Sequence, residues 1–142
     1  MPSQTQRGVY LERQLNNLLT HLGNVYGAYG HKNHAFRAID GRFLQGEPFD
    51  YEILYKNKLY CFDAKECKQS RWNLSNAKIG QLNALMACKK NGADAFFLVY
   101  FWKTNQLIKY DVEKVCKALE AKKASLTPEE GEVWTWEEIV SK

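Results

Sequence analysis

Two β-patterned runs separated by Lys56-Asn57-Lys58 constrain this chain more than any other feature. Phe49-Asp50-Tyr51-Glu52-Ile53-Leu54-Tyr55 alternates apolar with polar for most of its length, and Leu59-Tyr60-Cys61-Phe62-Asp63-Ala64-Lys65-Glu66 follows as a second strand. Together they read as a hairpin. Side chains alternate faces along a strand, so Asp63 and Lys65 point one way while Phe62 and Ala64 point the other. A two-residue turn at Lys56-Asn57 pairs Asp50 with Asp63, and a turn at Asn57-Lys58 pairs it with Lys65. Either register brings two carboxylates and an ammonium together.

Like charges opposed across a hairpin destabilise it, and a divalent cation is the usual reason for keeping such a pair. Oxygen ligands with no histidine or thiolate beside them favour a hard ion, Mg²⁺ or Mn²⁺. Bound there, the ion lowers the pKa of its water and offsets charge on a phosphate oxygen, with Lys65 orienting the water or stabilising the pentacovalent phosphate. The implied reaction is phosphodiester hydrolysis. Asp-x-Lys alone is cheap, since Glu66-x-Lys68 and Glu120-x-Lys122 also occur. The apolar setting of Asp63, flanked by Cys61 and Phe62, separates it from a solvent-facing salt bridge.

The other elements follow from periodicity. Leu11, Leu15, Leu18 and Leu22 recur at helical spacing over Val9 to Leu22, and Gly23-Asn24 ends the pattern. Asn33–Ile39 reads as a strand. Ile79, Leu82, Leu85 and Met86 mark a second amphipathic helix, Ala95–Phe101 a central strand, Gln106–Tyr110 its hairpin neighbour, and Val112, Val115, Cys116 and Leu119 a third helix. Thr135 to Glu138 is spaced as a capping box, and Trp134 and Trp136 are assigned to the core. This order predicts an α/β (α+β) fold with a central mixed sheet flanked by helices, in one domain over 1–142. Its core is expected at about 7–123, with an acidic, Trp-containing extension over 124–142.

Charge is unevenly spread within the net +4. Fifteen Lys/Arg stand against eight Asp/Glu up to Tyr110, and five against eight beyond it. The basic part carries the Asp-bearing hairpin, which makes a polyanion such as nucleic acid the natural partner. Lys65, Lys68 and Arg71 beside Trp72 combine cations for phosphates with a ring for stacking or wedging, although a basic loop over a core tryptophan fits the same residues. The tract Gly30-His31-Lys32-Asn33-His34 gives the same ambiguous signal. Cys61, Cys67, Cys88 and Cys116 form no CxxC pair and read as reduced thiols. No apolar stretch has membrane-spanning length, and Met1–Arg7 lacks the core of a signal peptide, so an intracellular protein is expected. Taken alone, Glu12 and Gln81 read as ordinary helix-surface residues.

Asp50, Asp63-x-Lys65 and the strands that carry them resemble the PD-(D/E)xK nuclease superfamily, whose core is restriction-endonuclease-like. Within it the chain is similar to the RecU-type Holliday junction resolvases. That likeness runs over about residues 6 to 115, through Gln6-Arg7-Gly8 with Glu12 and Asn16, then Phe49-Asp50-Tyr51, Phe62-Asp63-Ala64-Lys65-Glu66-Cys67, Trp72-Asn73-Leu74-Ser75-Asn76, Gln81 and Ala95–Phe101. It implies a Mg²⁺-dependent homodimer, with no small-molecule cofactor, that binds a four-way DNA junction and nicks two opposed strands. Asp50, Asp63 and Glu12 would be metal ligands, Lys65 the catalytic lysine and Gln81 the active-site glutamine. Arg7, Lys32, Lys68 and Arg71 would contact the DNA backbone. The alternatives are a related endonuclease acting on duplex or flapped DNA, and a fold that only binds junction DNA. The family's long stalk has no counterpart beyond Gly41–Pro48, a compactness that would suit a phage version; the expected location is the cytoplasm of a bacterial cell or phage-infected host.

Overall fold

The computed structural model describes residues 4–33, 36–37, 43–44 and 49–141. Helix α1 (Gln4–His21) buries Leu11 and Leu15, then continues as a π-helical turn over Leu22–Tyr26. The expected stop at Gly23-Asn24 is therefore overrun by one turn. Gly27, left-handed at φ 72°, ends it by donating its N–H to Gly23 O at 3.2 Å.

The strands that follow are β1 (Tyr29–Lys32), β2 (Phe36–Arg37), β3 (Phe43–Leu44), β4 (Tyr51–Tyr55), β5 (Lys58–Cys67), β6 (Trp72–Asn73), β7 (Asp94–Phe101), β8 (Gln106–Asp111), β9 (Ser125–Leu126) and β10 (Glu132–Val133). Between them run α2 (Ile79–Lys90) and α3 (Val112–Glu120), and α4 (Glu137–Val140) comes last. Six strands form one sheet in the order β1-β4-β5-β7-β8-β10, mixed because β5 and β7 are parallel while their neighbours pair antiparallel. Helix α2 makes the crossover that a parallel pair requires.

Both faces of the sheet are covered. On one, Cys61, Cys67, Phe97 and Val99 pack with Leu82 and Leu85 of α2 and with Val112 and Val115 of α3. On the other, Tyr51, Ile53, Phe62, Phe96 and Leu98 pack with Leu11, Leu15 and Leu22 from the α1 side. The second helix departs from its expected stripe at one position, because Ile79 is 73% exposed in the first turn while Leu82 and Leu85 are buried.

Other differences have local causes. The expected strand over Asn33–Ile39 is present in its described part as β2, while an additional edge strand forms earlier at Tyr29–Lys32, where pairing with β4 outweighs the poor strand propensity of Gly30-His31-Lys32. Part of the expected span lies outside the described residues, as does most of Gly41–Pro48. The capping box forms at Thr127 and Glu130, where Thr127 N–H donates to Glu130 Oε2 at 2.8 Å. At Thr135 it does not form, since α4 starts after Trp136 with only a backbone bond from Glu138 N–H to Thr135 O. The C-terminal segment is stitched into the fold: β9 pairs with β6, and β10 with β8. Trp134 is buried against Phe62 and Phe96, as expected, and the half-buried Trp136 packs on His21 and Tyr26. Among the described residues no helix is long and apolar enough to cross a membrane.

Candidate active site

The β4–β5 hairpin turns through Lys56 (φ 48°) and Asn57 (φ 64°), two consecutive left-handed residues as a tight hairpin turn of matching twist requires. Tyr55 then faces Lys58, and the ladder runs down to Tyr51 opposite Phe62. One further step sets Asp50 against Asp63, the first of the two registers considered from sequence. Just past the end of the ladder, Asp50 Oδ2 accepts a hydrogen bond from the backbone N–H of Ala64 at 3.1 Å.

Asp63 is 1% exposed, and among the described residues no other charged side chain is buried. Neither of its oxygens accepts a well-formed hydrogen bond, although Lys65 Nζ stands 2.9 Å from Oδ2 as an ion pair. Burial, with the neighbouring Asp50 charge, pushes the Asp63 carboxyl up to about 6 despite the opposing pull of Lys65. A carboxylate so placed is costly to keep ionised without a further cation. The donor set fits a hard divalent ion in that respect: two carboxylates side by side, one of them short of donors.

Beside the pair lies a cavity of about 340 Å³ walled by Leu11, Glu12, Lys32, Asp50, Tyr51, Ala64, Lys65 and Glu66. Glu12 reaches it from α1 and Lys32 from β1. A Cβ on Gly30 would meet Leu19 Cδ2 at 2.6 Å, so glycine is what lets α1 approach β1 this closely. Glu12 Oε1 pairs with Lys32 Nζ at 3.0 Å. Of the three expected ligands, Glu12 and Asp50 line this cavity while Asp63 is buried behind it, and among the described residues no group of three His, Cys, Asp or Glu is arranged to hold a metal. Burial first, and then the charges of Asp50, Glu12 and Asp63, hold the Tyr51 phenol well above its usual range.

The remaining candidates lie further out. Gln81 sits in the first turn of α2, where its Oε1 accepts the Lys78 N–H at 3.1 Å, and it does not line the cavity. Arg7 falls within α1, with its side chain outside the described ones. Lys68 and Arg71 are exposed, and Arg71 Nε donates to Ser125 Oγ at 2.7 Å. Trp72 is fully buried, stacked on Tyr110 and tilted against Phe97, which removes it as a stacking or wedging residue. Its basic loop covers a core tryptophan. Lys32 lies in the cavity wall, paired with Glu12. Asn33 was legible only as part of a polar tract, yet it is buried and donates to the backbone that carries Asp50.

The family model for Recombination protein U matches residues 6–130 of this chain. The chain belongs to that family. Two RecU relatives match over shorter stretches. The Holliday junction resolvase RecU of Ligilactobacillus salivarius (strain UCC118) is 38% identical over 66 residues, which is 46% of this chain and 31% of that protein. The protein of the same name from Pediococcus pentosaceus is 32% identical over 77 residues, 54% of this chain and 38% of that one. The match therefore spans about a third of the length of these RecU relatives. A solved structure, that of Archaeoglobus fulgidus Hjc, a Holliday junction resolvase from an archaeal hyperthermophile, covers 75% of this chain and 74% of its own. Its TM-score is 0.47 at 17% identity. Within the RecU family match lie Arg7, Glu12, Asp50, Asp63, Lys65 and Gln81, so the residues singled out from sequence all fall inside it.

Proposed function

We propose that the chain is a structure-selective endonuclease that resolves four-way DNA junctions by Mg²⁺-dependent phosphodiester hydrolysis, as a homodimer nicking opposed strands. One observation carries the reading. Asp63 is buried and short of donors beside Asp50, with Lys65 at 2.9 Å and an open cavity alongside. Family membership supports it, and the two-fold symmetry of a dimer matches that of a junction.

Asp50 and Asp63 would hold the divalent ion, Mg²⁺ or Mn²⁺, with Glu12 joining them once released from Lys32. When bound, such an ion supplies a water of lowered pKa and neutralises charge on a phosphate oxygen. Lys65, now paired with Asp63, would turn its ammonium to the negative charge that the phosphate gains. Lys32, freed from Glu12, would contact the DNA backbone, as would Arg7, Lys68 and Arg71. Gln81 would act on the reacting phosphate from the start of α2, the helix covering the face that bears Asp63 and Lys65. In this reading the protein works in the cytoplasm of a bacterial cell or a phage-infected host.

Incubating the protein with a synthetic four-way junction and with a linear duplex of matching sequence, in Mg²⁺ or in EDTA, tests the proposal. Paired symmetrical nicks in the junction alone, lost in EDTA, are expected. Equal cutting of the duplex would make it a general endonuclease, and tight junction binding without cutting would make it a binding protein.

A further inference from the structure

Asp50 lies outside the strand ladder, so something other than sheet pairing has to hold it. The last pair of the β4–β5 ladder is Tyr51 with Phe62, and on the other side β1 pairs with β4 only as far as Lys32 with Tyr51. Immediately beyond both ladder ends, Asn33 takes over. Its backbone N–H donates to Asp50 O at 2.7 Å, and its side-chain Nδ2 donates to Phe49 O, also at 2.7 Å. Asn33 is 6% exposed, so these bonds form away from water, where an unpaired carbonyl is costly.

We infer that Asn33 is a positioning residue for the metal-binding carboxylate pair, gripping two successive carbonyls, of Phe49 and Asp50, so that the Asp50 side chain lands on the Ala64 N–H and beside Asp63. The inference rests on the functional reading above for its catalytic consequence, but its structural content stands without a metal.

Three features support a positioning role over generic packing. The two bonds come from one residue and act on adjacent peptide units, which fixes the direction of the chain at Asp50 as well as its place. Nδ2 has its partner while Oδ1, equally buried, has none among the described residues, so the carbonyl that Nδ2 holds is what offsets burying this amide. The Asp50 carboxylate makes a directional bond of its own to Ala64 N–H, at 3.1 Å, which requires the backbone to be held within a narrow range. Asparagine suits the task because its amide carries two donors on a short stem, whereas aspartate at neutral pH offers acceptors only and would face the Phe49 carbonyl with like charge.

The test reads the hydrogen bond that Asn33 is inferred to secure. In metal-free protein, amide hydrogen exchange followed by ¹H–¹⁵N NMR compares wild type with Asn33→Ala and Asn33→Asp. The expected result is an Ala64 N–H that exchanges at least about tenfold faster in both variants, while Cys61 and Phe97 inside the sheet keep wild-type protection. Mg²⁺ titration of the same samples is expected to show affinity weakened about tenfold, within the range that losing a supporting partner costs a metal site. In cleavage assays kcat is expected to fall with DNA affinity, measured in EDTA, within about twofold of wild type. An Ala64 amide as protected in both variants as in wild type would overturn the inference. Should either variant fail to fold, the wild-type protein alone decides: Mg²⁺ is expected to slow exchange of the Asn33 amide, and an unchanged rate would refute the link. A wild type that binds Mg²⁺ but cuts no DNA would sink the functional reading while leaving the Ala64 result to judge Asn33.

Discussion

The carboxylate of Asp50 accepts the backbone N–H of Ala64, the residue after Asp63 on the neighbouring strand. That bond docks the Asp50 side chain on β5, and the hairpin register that buries Asp63 also delivers its partner charge. A one-residue slip would turn every side chain of β5 to the opposite face and separate the two. The turn at Lys56-Asn57, some distance along the ladder, thus sets the chemistry of the site.

Asp50→Asn tests the charge without disturbing the bond, because the amide oxygen can still accept from Ala64 N–H. The variant is expected to fold and to lose cleavage by roughly a thousandfold, the equivalent of several kcal/mol of transition-state stabilisation. Single-turnover cleavage rates in Mg²⁺ check it.

The elevated Asp63 carboxyl gives the metal-free protein a pH signature. Its pKa rises from 3.8 to about 6 on folding, so between those values the folded chain holds a proton the unfolded chain has released. Stability is therefore highest below about pH 4 as far as this group is concerned, and falls as pH climbs through 6, by roughly 3 kcal/mol in all. Thermal unfolding in EDTA across this range is expected to show the decline in wild type and its absence in Asp63→Asn, with added Mg²⁺ stabilising only the wild type above pH 6.

Gln81 has one role already visible, in accepting the Lys78 N–H at the start of α2. Gln81→Ala is expected to cost about 1 kcal/mol, the usual value of a helix-start bond. A fall in kcat beyond tenfold in a variant still folded at the assay temperature would add the proposed catalytic role, and a wild-type kcat would limit Gln81 to capping.

Trp72 is buried against Tyr110 and Phe97, with no ring face open to solvent. Trp72→Ala is expected to lose about 3–5 kcal/mol of stability in chemical denaturation, and Trp72→Phe far less. Junction affinity of Trp72→Phe is expected to match wild type.

The hairpin was legible because its signals are local: alternation along Phe49–Tyr55, a short turn, and charges embedded in apolar flanks. Asp50, Asp63 and Lys65 come together through those signals alone. Glu12 lies in a different element, and only the close approach of α1 to β1 at Gly30 brings it to the cavity, so its family likeness marked it where spacing did not. Trp72 read equally well as ligand or core, because composition does not reveal which face of a two-residue strand is covered. Asn33 was legible only as a member of a polar tract, since its partners are backbone carbonyls sixteen and seventeen residues away that carry no sequence label. The edge strand at Tyr29–Lys32 was missed for a related reason: its glycine and charges look like a loop until β4 pairs with them.

Asp63→Asn removes the buried charge while keeping its shape, and comparing that variant with wild type on a four-way junction in Mg²⁺ decides whether this carboxylate takes part in cleavage. Cleavage is expected to disappear while junction affinity stays within a few-fold of wild type. Cutting at the wild-type rate by Asp63→Asn would show that the buried carboxylate is not needed for hydrolysis and place the active site elsewhere.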